Sequence, residues 1–465
     1  MKPTYEELET RNRELEARCE KLEGLLKKAL DRIARLEEQL NQNSNNSSKP
    51  PSSDHKSNTR HSKNRNRKPR QGITRALLPL DQVDKHEICE AHGCPHCGSV
   101  DLASKGDPII LQQVELPEVK GIVTQYDLHN YHCRACKSSV LAQLPEGVPN
   151  SAFGPRLMAL IANLTGVFHL SKDDAKQLLS DLYGIDVSDG SIINIEARVT
   201  QALNPIYKRI HGFVTESIFC KHFDETSWRD CGKTHYVWVA ATKQAVCYRI
   251  DRHRSKEAFE AISGGLNVLA PVVTDRYSAY NDLKNPRQFC IPHLIRNFRC
   301  FGQRDGPDGR IGSAVEKELQ FLTHTHSLYR KNEISTVTYS QRIRRCKCRV
   351  DNLFMEALVE GSDDLGKLCE KLLLDEFDNL WTFKAHHDAE PSNNLAERDL
   401  RRIVLWRKKS YGTRSDGGQA FVQTISSVAG TLRRSGANIF SFITDAVVRF
   451  YQGLDAPMMQ PNHGF

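Results

Sequence analysis

The sequence predicts a multidomain α+β protein, and three changes of pattern along the chain carry that expectation. A heptad seam fills the first 40 residues, two Cys-x-x-Cys pairs mark a small module, and beyond residue 151 helical periodicity gives way to short strand-like runs and then to helices again. At 465 residues there is room for about two to four domains, and 39% hydrophobic content suffices for an ordinary core. No run approaches the ~18 apolar residues of a spanning helix, and residues 1–10 lack the basic-then-apolar shape of a secretory signal, so neither a membrane protein nor a secreted one is expected. Fourteen cysteines are too dilute for a disulfide scaffold; four of them in two Cys-x-x-Cys pairs point to a reducing cytoplasm and a metal. The net charge of +8 is modest, so what matters is where the basic residues gather.

Residues 1–40 place Leu8, Leu15, Leu22, Ala29 and Leu36 in one column and Cys19, Leu26, Ile33 and Leu40 in the other. This is a coiled-coil seam of about five heptads, and Asn12 at an a position favours an in-register parallel dimer, so a homo-oligomer is expected; a lone amphipathic helix packed on the protein is the alternative. Residues 41–78 form a linker rich in Asn, Ser and Pro, in which Lys49, Lys56, Arg60, Lys63, Arg65, Arg67, Lys68, Arg70 and Arg75 face the single acid Asp54. Such a segment cannot bury enough apolar surface to fold, and it suits phosphate neutralisation or simple extension. Residues 79–150 carry Cys94-Pro-His-Cys97 and Cys133-Arg-Ala-Cys136. Two knuckles joined by expected strands over 109–116 and 122–132 make a zinc-ribbon-like site with Zn²⁺ on four thiolates; Cys89, His92, His96 and His132 are alternative ligands. A closed four-ligand site is structural rather than catalytic.

Residues 151–213 read as helices, with a break at Gly184 and a new start near 188–191. Helix, glycine turn, helix suits a DNA-binding helix-turn-helix, with Asn194 and Arg198 available to bases, or equally a plain helical bundle. Short strands are expected over 218–224, 235–242, 245–251, 271–275 and 288–292, with a helix over 255–262 between the third and fourth. A long helical stretch, about 305–385, comes next; its Cys346 and Cys348 point to different helix faces and form no metal site. Pro391 and Ser392 then start a helix whose Asn393, Asn394, Glu397 and Arg401 share one face. Residues 411–465 are expected as a helical tail.

Asp224 and Asp275 each follow an apolar run, and functional groups gather just beyond strand ends; if their strands are neighbours, the two acids share a pocket. Read together, the coiled coil, the phrase Asn46-Ser-Ser-Lys-Pro-Pro-Ser-Ser-Asp54, the Cys-Pro-x-Cys-Gly knuckle, Asp224-Glu-Thr, Asp275-Arg-Tyr-Ser-Ala-Tyr280, Pro292-His293-Leu-Ile-Arg296-Asn-Phe298, Asn393-Asn-Leu-Ala-Glu397-Arg398 and Trp406-Arg-Lys-Lys-Ser410 give the chain a likeness to a known family. It resembles the large transposase of the bacterial insertion-sequence-sixty-six family, a DDE transposase, over almost its whole length. The resemblance implies an RNase H-like mixed α/β core over 214–410 with a helical insertion at about 305–385. It also implies a catalytic triad of Asp224, Asp275 and Glu397 holding two Mg²⁺ or Mn²⁺ ions.

Three crowded carboxylates repel unless hard cations bridge them, and two such ions about 3.5–4 Å apart suit in-line phosphoryl displacement. The implied reaction is cleavage of double-stranded DNA at transposon ends, then attack of the freed 3′-hydroxyl on target DNA, with companion proteins of the same element as possible partners. Arg398, Arg401, Arg402, Arg407, Lys408 and Lys409, with Arg414 beyond them, form the second basic cluster and are expected to hold DNA phosphates. His293 is read as a structural histidine, since imidazole matches Mg²⁺ poorly. The rival readings are a non-catalytic DNA-binding regulator and an RNase H-like nuclease that cuts without joining.

Overall fold

The structure, a computed structural model, describes residues 5–43, 76–103 and 105–459. The basic segment read as a linker, with its cations from 49 to 75, lies outside the described residues. Helix α1, Tyr5–Asn41, is 37 residues long. Its seam residues Leu15, Leu22, Leu26, Ile33, Leu36 and Leu40 are half or more exposed in the single chain.

In the cysteine module the two knuckles are joined by little regular structure. Strand β1 (Asn130–His132) pairs antiparallel with β2 (Ser139–Leu141), with Tyr131 opposite Val140. The strands expected over 109–116 and 122–132 are absent except for β1. Ile109, Leu111, Leu116, Ile122 and Val123 are more than 80% exposed, so their alternation has neither a partner ladder nor a packed face to make it a strand.

The next block is helical. Helix α2 (Pro155–Ala162) starts with Pro at its first turn and runs into a π-turn at Asn163–Val167, where Phe168 N–H reaches back to Asn163 C=O at 3.0 Å. Helix α3 (Lys172–Tyr183) is capped by Ser171, which accepts from Asp174 N–H at 3.0 Å, and ends where Gly184 turns left-handed at φ 64°. Helix α4 (Asp189–Glu216) is capped by Ser188 and buries Ile192, Ile195 and Val199, the face its sequence period marks. The order helix, glycine turn, helix is therefore present between α3 and α4.

Strands β3 (Lys221–Asp230), β4 (Lys233–Ala241) and β5 (Val246–Asp251) form an antiparallel meander. Helix α5 (Lys256–Ser263) crosses to β6 (Val272–Thr274), which pairs parallel with β3, and β7 (Arg287–Phe289) adds parallel to β6. The sheet order is β5-β4-β3-β6-β7. Two expectations are corrected. Asp224 lies fourth in the ten-residue β3 rather than at its end. The strand expected to 292 stops at Phe289, because Pro292 sits in the first turn of helix α6 (Ile291–Phe301).

After α6 come α7 (Gly306–Arg330), α8 (Thr336–Glu360), α9 (Asp363–Leu374) and the single turn α10 (Thr382–Ala385). Together they pack Leu294, Phe298, Leu319, Ile343 and Phe354 with Val273 and Phe289 of the sheet. The other sheet face, with Phe223, Val272 and Trp238, joins a larger core with α2–α5, α11 (Asn394–Ser410), α12 (Asp416–Ser435) and α13 (Ile439–Tyr451). Successive residues Val272 and Val273 thus serve opposite cores, as the period of two requires. The chain's last helices close back on its first: α12 packs on α4 and β5, α13 on α2. Gly166 lies so close to Phe421 and Ile425 of α12 that a Cβ there would meet both at 2.8 Å. No helix among the described residues is long and apolar enough to cross a membrane.

Candidate active site

Register brings the first two acids together. Lys221 and His222 of β3 pair in parallel with Val272 and Val273 of β6. Continuing that register, Asp224 falls opposite Asp275, just past the last residue of β6. The Asp224 Oδ1 accepts Glu225 N–H at 2.9 Å, and Asp275 Oδ1 accepts Tyr277 N–H at 2.9 Å. Buried Arg287 fixes the segment from behind, donating to Thr274 Oγ1 at 2.9 Å and to the Asp275 carbonyl at 2.8 Å.

Glu397 reaches the pair from α11, which is fastened to β3 at both ends. At its start Asn393, fully buried, donates from Nδ2 to Phe223 C=O at 2.7 Å, and its Oδ1 lies 3.2 Å from His222 Nδ1. With Nδ2 committed to a carbonyl, the amide oxygen must accept, so His222 carries its proton on Nδ1. The Asn393 N–H also points at Cys290 Sγ, 3.3 Å away, and its C=O accepts Glu397 N–H at 3.1 Å. At the other end Gly412, at φ 101°, lets the backbone press against β3: a Cβ there would lie 2.0 Å from the Arg229 carbonyl. Thr413 N–H donates to that carbonyl at 2.8 Å, and Cys231 N–H returns to Thr413 C=O at 2.9 Å.

The resulting pocket is crowded with negative charge. Burial, then the charges of Glu225, Asp275 and Glu397, push the Asp224 carboxyl well above the usual carboxylate range. Neighbouring guanidinium groups bond to other partners than the Asp224, Asp275 and Glu397 carboxylates. Arg254 donates from Nε to Glu225 at 2.8 Å and stacks over the Tyr277 ring at 3.9 Å, while Arg276 pairs with Glu376 at 3.2 Å. The Tyr280 hydroxyl donates to the other Glu225 oxygen. Glu397 Oε1 and His293 Nδ1 are buried, 3.9 Å apart, and without a hydrogen-bond partner among the described residues. Burial and the Arg296 charge hold His293 below the usual imidazole range, against the opposing pull of Glu397 and Asp275. Among the described residues the ligand atoms of Asp224, Asp275 and Glu397 do not all lie within 4.8 Å of one another; Glu397 groups instead with Cys290 and His293. An unpartnered carboxylate oxygen that still acts on Asp224 electrostatically nevertheless suits a hard divalent cation.

The basic residues of α11 divide. Arg398, Arg401, Arg402, Lys408 and Lys409 are exposed, as is Arg414 after the helix. Arg407 instead turns back onto β3 and donates to the Ser227 hydroxyl at 2.5 Å. Arg402 and Lys409, seven residues apart on one stripe, join Arg433 in acting on His169, whose ring stacks on Trp406 at 4.5 Å. Arg254 and Arg287 were not singled out by sequence, and Asn393 was named only for the helix face and motif it shares with Glu397, not for its contacts with β3. Their partners lie 29, 13 and 170 residues away, so no local spacing marks these contacts.

Each cysteine knuckle is formed. Cys94 N–H donates to Ser99 C=O and Gly98 N–H to Cys94 C=O, and Cys133 with Ser138 and Lys137 repeats both bonds, all at 2.8–2.9 Å. The Ser138 hydroxyl, backbone N–H groups and neighbouring Cys133 draw the Cys136 thiol down to about 7, and the His96 and Cys97 amides lower Cys94. Thiols poised toward thiolate suit a zinc ligand set. No three of the four sulfurs lie within 4.8 Å of one another among the described residues, so the knuckles stand as two pairs.

Comparison with known families matches residues 150–420 to the family described as "Transposase IS66 family" and residues 92–137 to the "zinc-finger binding domain of transposase IS66". Residues 1–77 match a family of unknown function. Among curated proteins, an uncharacterized protein of Sinorhizobium fredii, y4jD, is 23% identical over 358 residues, covering 70% of this chain and 68% of that protein.

Proposed function

Because the chain belongs to the IS66 transposase family, with a DNA-binding transposase's zinc-finger region, we propose that it is the enzyme that cleaves double-stranded DNA at the element's ends and joins the freed 3′-hydroxyl to target DNA. What supports this reading is that Asp275 and Glu397, with Glu225, act on the half-buried Asp224 carboxyl, and that Glu397 Oε1 has no hydrogen-bond partner among the described residues. The sheet order, with three antiparallel strands and two parallel additions beside the first, supports an RNase H-like core, and α6–α10 its helical insertion. Asp224 and Asp275 would hold the cations from two adjacent strands and Glu397 from the helix clamped across them. Two Mg²⁺ or Mn²⁺ ions so held would activate the attacking oxygen and offset charge on the leaving one. Exposed Arg398, Arg401, Arg402, Lys408 and Lys409 would hold phosphates, and Arg401 suits that role because Glu397 faces His293 instead. Arg407, bonded to Ser227, would brace α11 on β3.

The remaining parts take supporting roles in this reading. Residues 1–40 dimerise the chain, 41–78 form a basic arm, and Cys94, Cys97, Cys133 and Cys136 in 79–150 hold a structural Zn²⁺. Residues 151–213 contact end DNA, 214–410 catalyse, and 411–465 return to brace 151–213. The test is full-length protein with Mg²⁺, labelled end DNA and a target plasmid. Joined product is the expected result; nicks alone would make the chain a nuclease, and binding alone a regulator. Glu397→Gln should lower cleavage about 10³-fold, a loss of about 4 kcal/mol in transition-state stabilisation, with end binding within about twofold of the wild type.

A further inference from the structure

We infer that His293 is a nitrogen ligand to the cation held at Glu397, so that this centre favours a transition ion such as Mn²⁺ over Mg²⁺. The inference rests on the proposed carboxylate centre and adds to it a residue that the sequence alone reads as structural.

Among the described residues, Cys290, His293 and Glu397 are the one group of three His, Cys, Asp or Glu side chains whose ligand atoms lie within 4.8 Å of one another. Within it, His293 Nδ1 and Glu397 Oε1 stand 3.9 Å apart, too far for a hydrogen bond. That distance is close to what two ligands of one ion span, about 3–4 Å for ligand bonds of ~2.1 Å. Both atoms are shielded from solvent and neither has a hydrogen-bond partner among the described residues. A buried carboxylate oxygen and a buried ring nitrogen facing across such a gap are each costly to leave unsatisfied, and with the imidazole proton on Nε2 a shared cation satisfies both at once. Cys290 does not join them. The residue is buried and its sulfur already accepts the Asn393 N–H, a bond that helps hold α11 in place.

The backbone holds both donors on rigid elements. His293 lies in the first turn of α6, whose Ile291 N–H donates to Pro391 C=O at 2.9 Å, immediately ahead of α11. The two helix starts are thus tied together, and the imidazole and carboxylate cannot drift apart independently. Imidazole is a weak ligand for Mg²⁺ and a good one for later transition ions, whereas three carboxylates alone distinguish Mg²⁺ and Mn²⁺ little. One nitrogen in the set is therefore what would produce a preference.

The test uses zinc-loaded, full-length protein titrated with Mn²⁺ and read by electron spin-echo modulation, which detects directly bound ¹⁴N. The wild type should show an imidazole nitrogen coupling. It should vanish in His293→Ala and in His293→Asn, with Mn²⁺ affinity falling on the order of tenfold and Mg²⁺ affinity changing less than about threefold. Circular dichroism of both variants checks that the fold is kept. A wild-type signal without ¹⁴N coupling, or coupling that survives both variants, overturns the inference while leaving the carboxylate centre intact. Mn²⁺ affinity unchanged in Glu397→Gln would instead sink the centre itself, and the inference with it.

Discussion

Asn393 stands at the N-cap of α11 and does not cap it. Six other helices are capped in the ordinary way: Ser171, Ser188, Ser255, Ser335, Ser415 and Asn438 all accept from the first turn of their own helices. The Asn393 carboxamide is spent on β3 instead, bridging Phe223 C=O and His222 Nδ1 on either side of the backbone that leads to Asp224. Burial lowers His222 to about 4, so the ring stays neutral and the bridge keeps one proton pattern through physiological pH. Asn393→Ala would strand a carbonyl and an N–H in a fully buried place, at about 1–3 kcal/mol each. The expected outcome is a fall of about 2–4 kcal/mol in unfolding free energy by urea titration. Divalent-ion affinity should fall with it, because Glu397 is no longer held against β3. A variant that unfolds at the wild-type midpoint and binds Mn²⁺ normally would show the bridge to be incidental. The sequence made Glu397 legible because a carboxylate among amides and guanidinium groups is odd on a helix face; Asn393 was named beside it, but its bridge to β3 was not legible, since an amide before a helix already has an ordinary local explanation.

At the scale of elements, what could be read from the sequence depended on whether a segment's pattern had a surface to act on. Apart from β3, which starts three residues late and runs six residues past its expected end, the meander, α5 and the short parallel strands fall within about three residues of their expected places, because Phe223, Val239, Val246 and Val272 alternate toward cores that exist. The stretch 109–132 alternates just as well and forms only β1, since its apolar residues meet nothing. Nor could the sequence show that α12 and α13 would close on α4 and α2, a pairing across more than 200 residues that no local period encodes. The cysteine module follows from the same reasoning. With little apolar burial of its own, the module would gain its order from one Zn²⁺ if Cys94, Cys97, Cys133 and Cys136 share it as proposed. Stripping zinc from the full-length protein with a chelator should abolish amide protection in 94–99 and 133–138 and weaken end binding about tenfold or more. The melting of the sheet and its helices should be unchanged. Protection that persists without zinc, or in Cys133→Ser, would rule out the shared site.

For the whole molecule, the described residues contain one element with a long apolar stripe and no surface to cover it. Along α1, Leu15, Leu22, Leu26, Ile33, Leu36 and Leu40 form the two seam columns and are half or more exposed. A 37-residue helix that leaves such a stripe in water forgoes its burial, and in the proposed dimer a second copy would supply the matching stripe with knobs entering holes. Asn12 at an a position would pair with its twin only in a parallel, in-register dimer, which fixes the relative direction of the two chains. The segment that follows is long and polar, so it can separate the paired helices from the two catalytic centres and let each reach its own DNA end. Sedimentation of the full-length chain should therefore give a species near twice 52.7 kDa, and removal of residues 1–43 should give a monomer with an unchanged melting temperature. Cleavage of a single end should survive that truncation, whereas joined products that need two ends held together should fall steeply. Asn12→Leu should raise helix stability but loosen register, giving mixed oligomers rather than one dimer. If the truncated chain stays dimeric, another surface holds the copies together, and α1 must pack on the rest of its own chain instead.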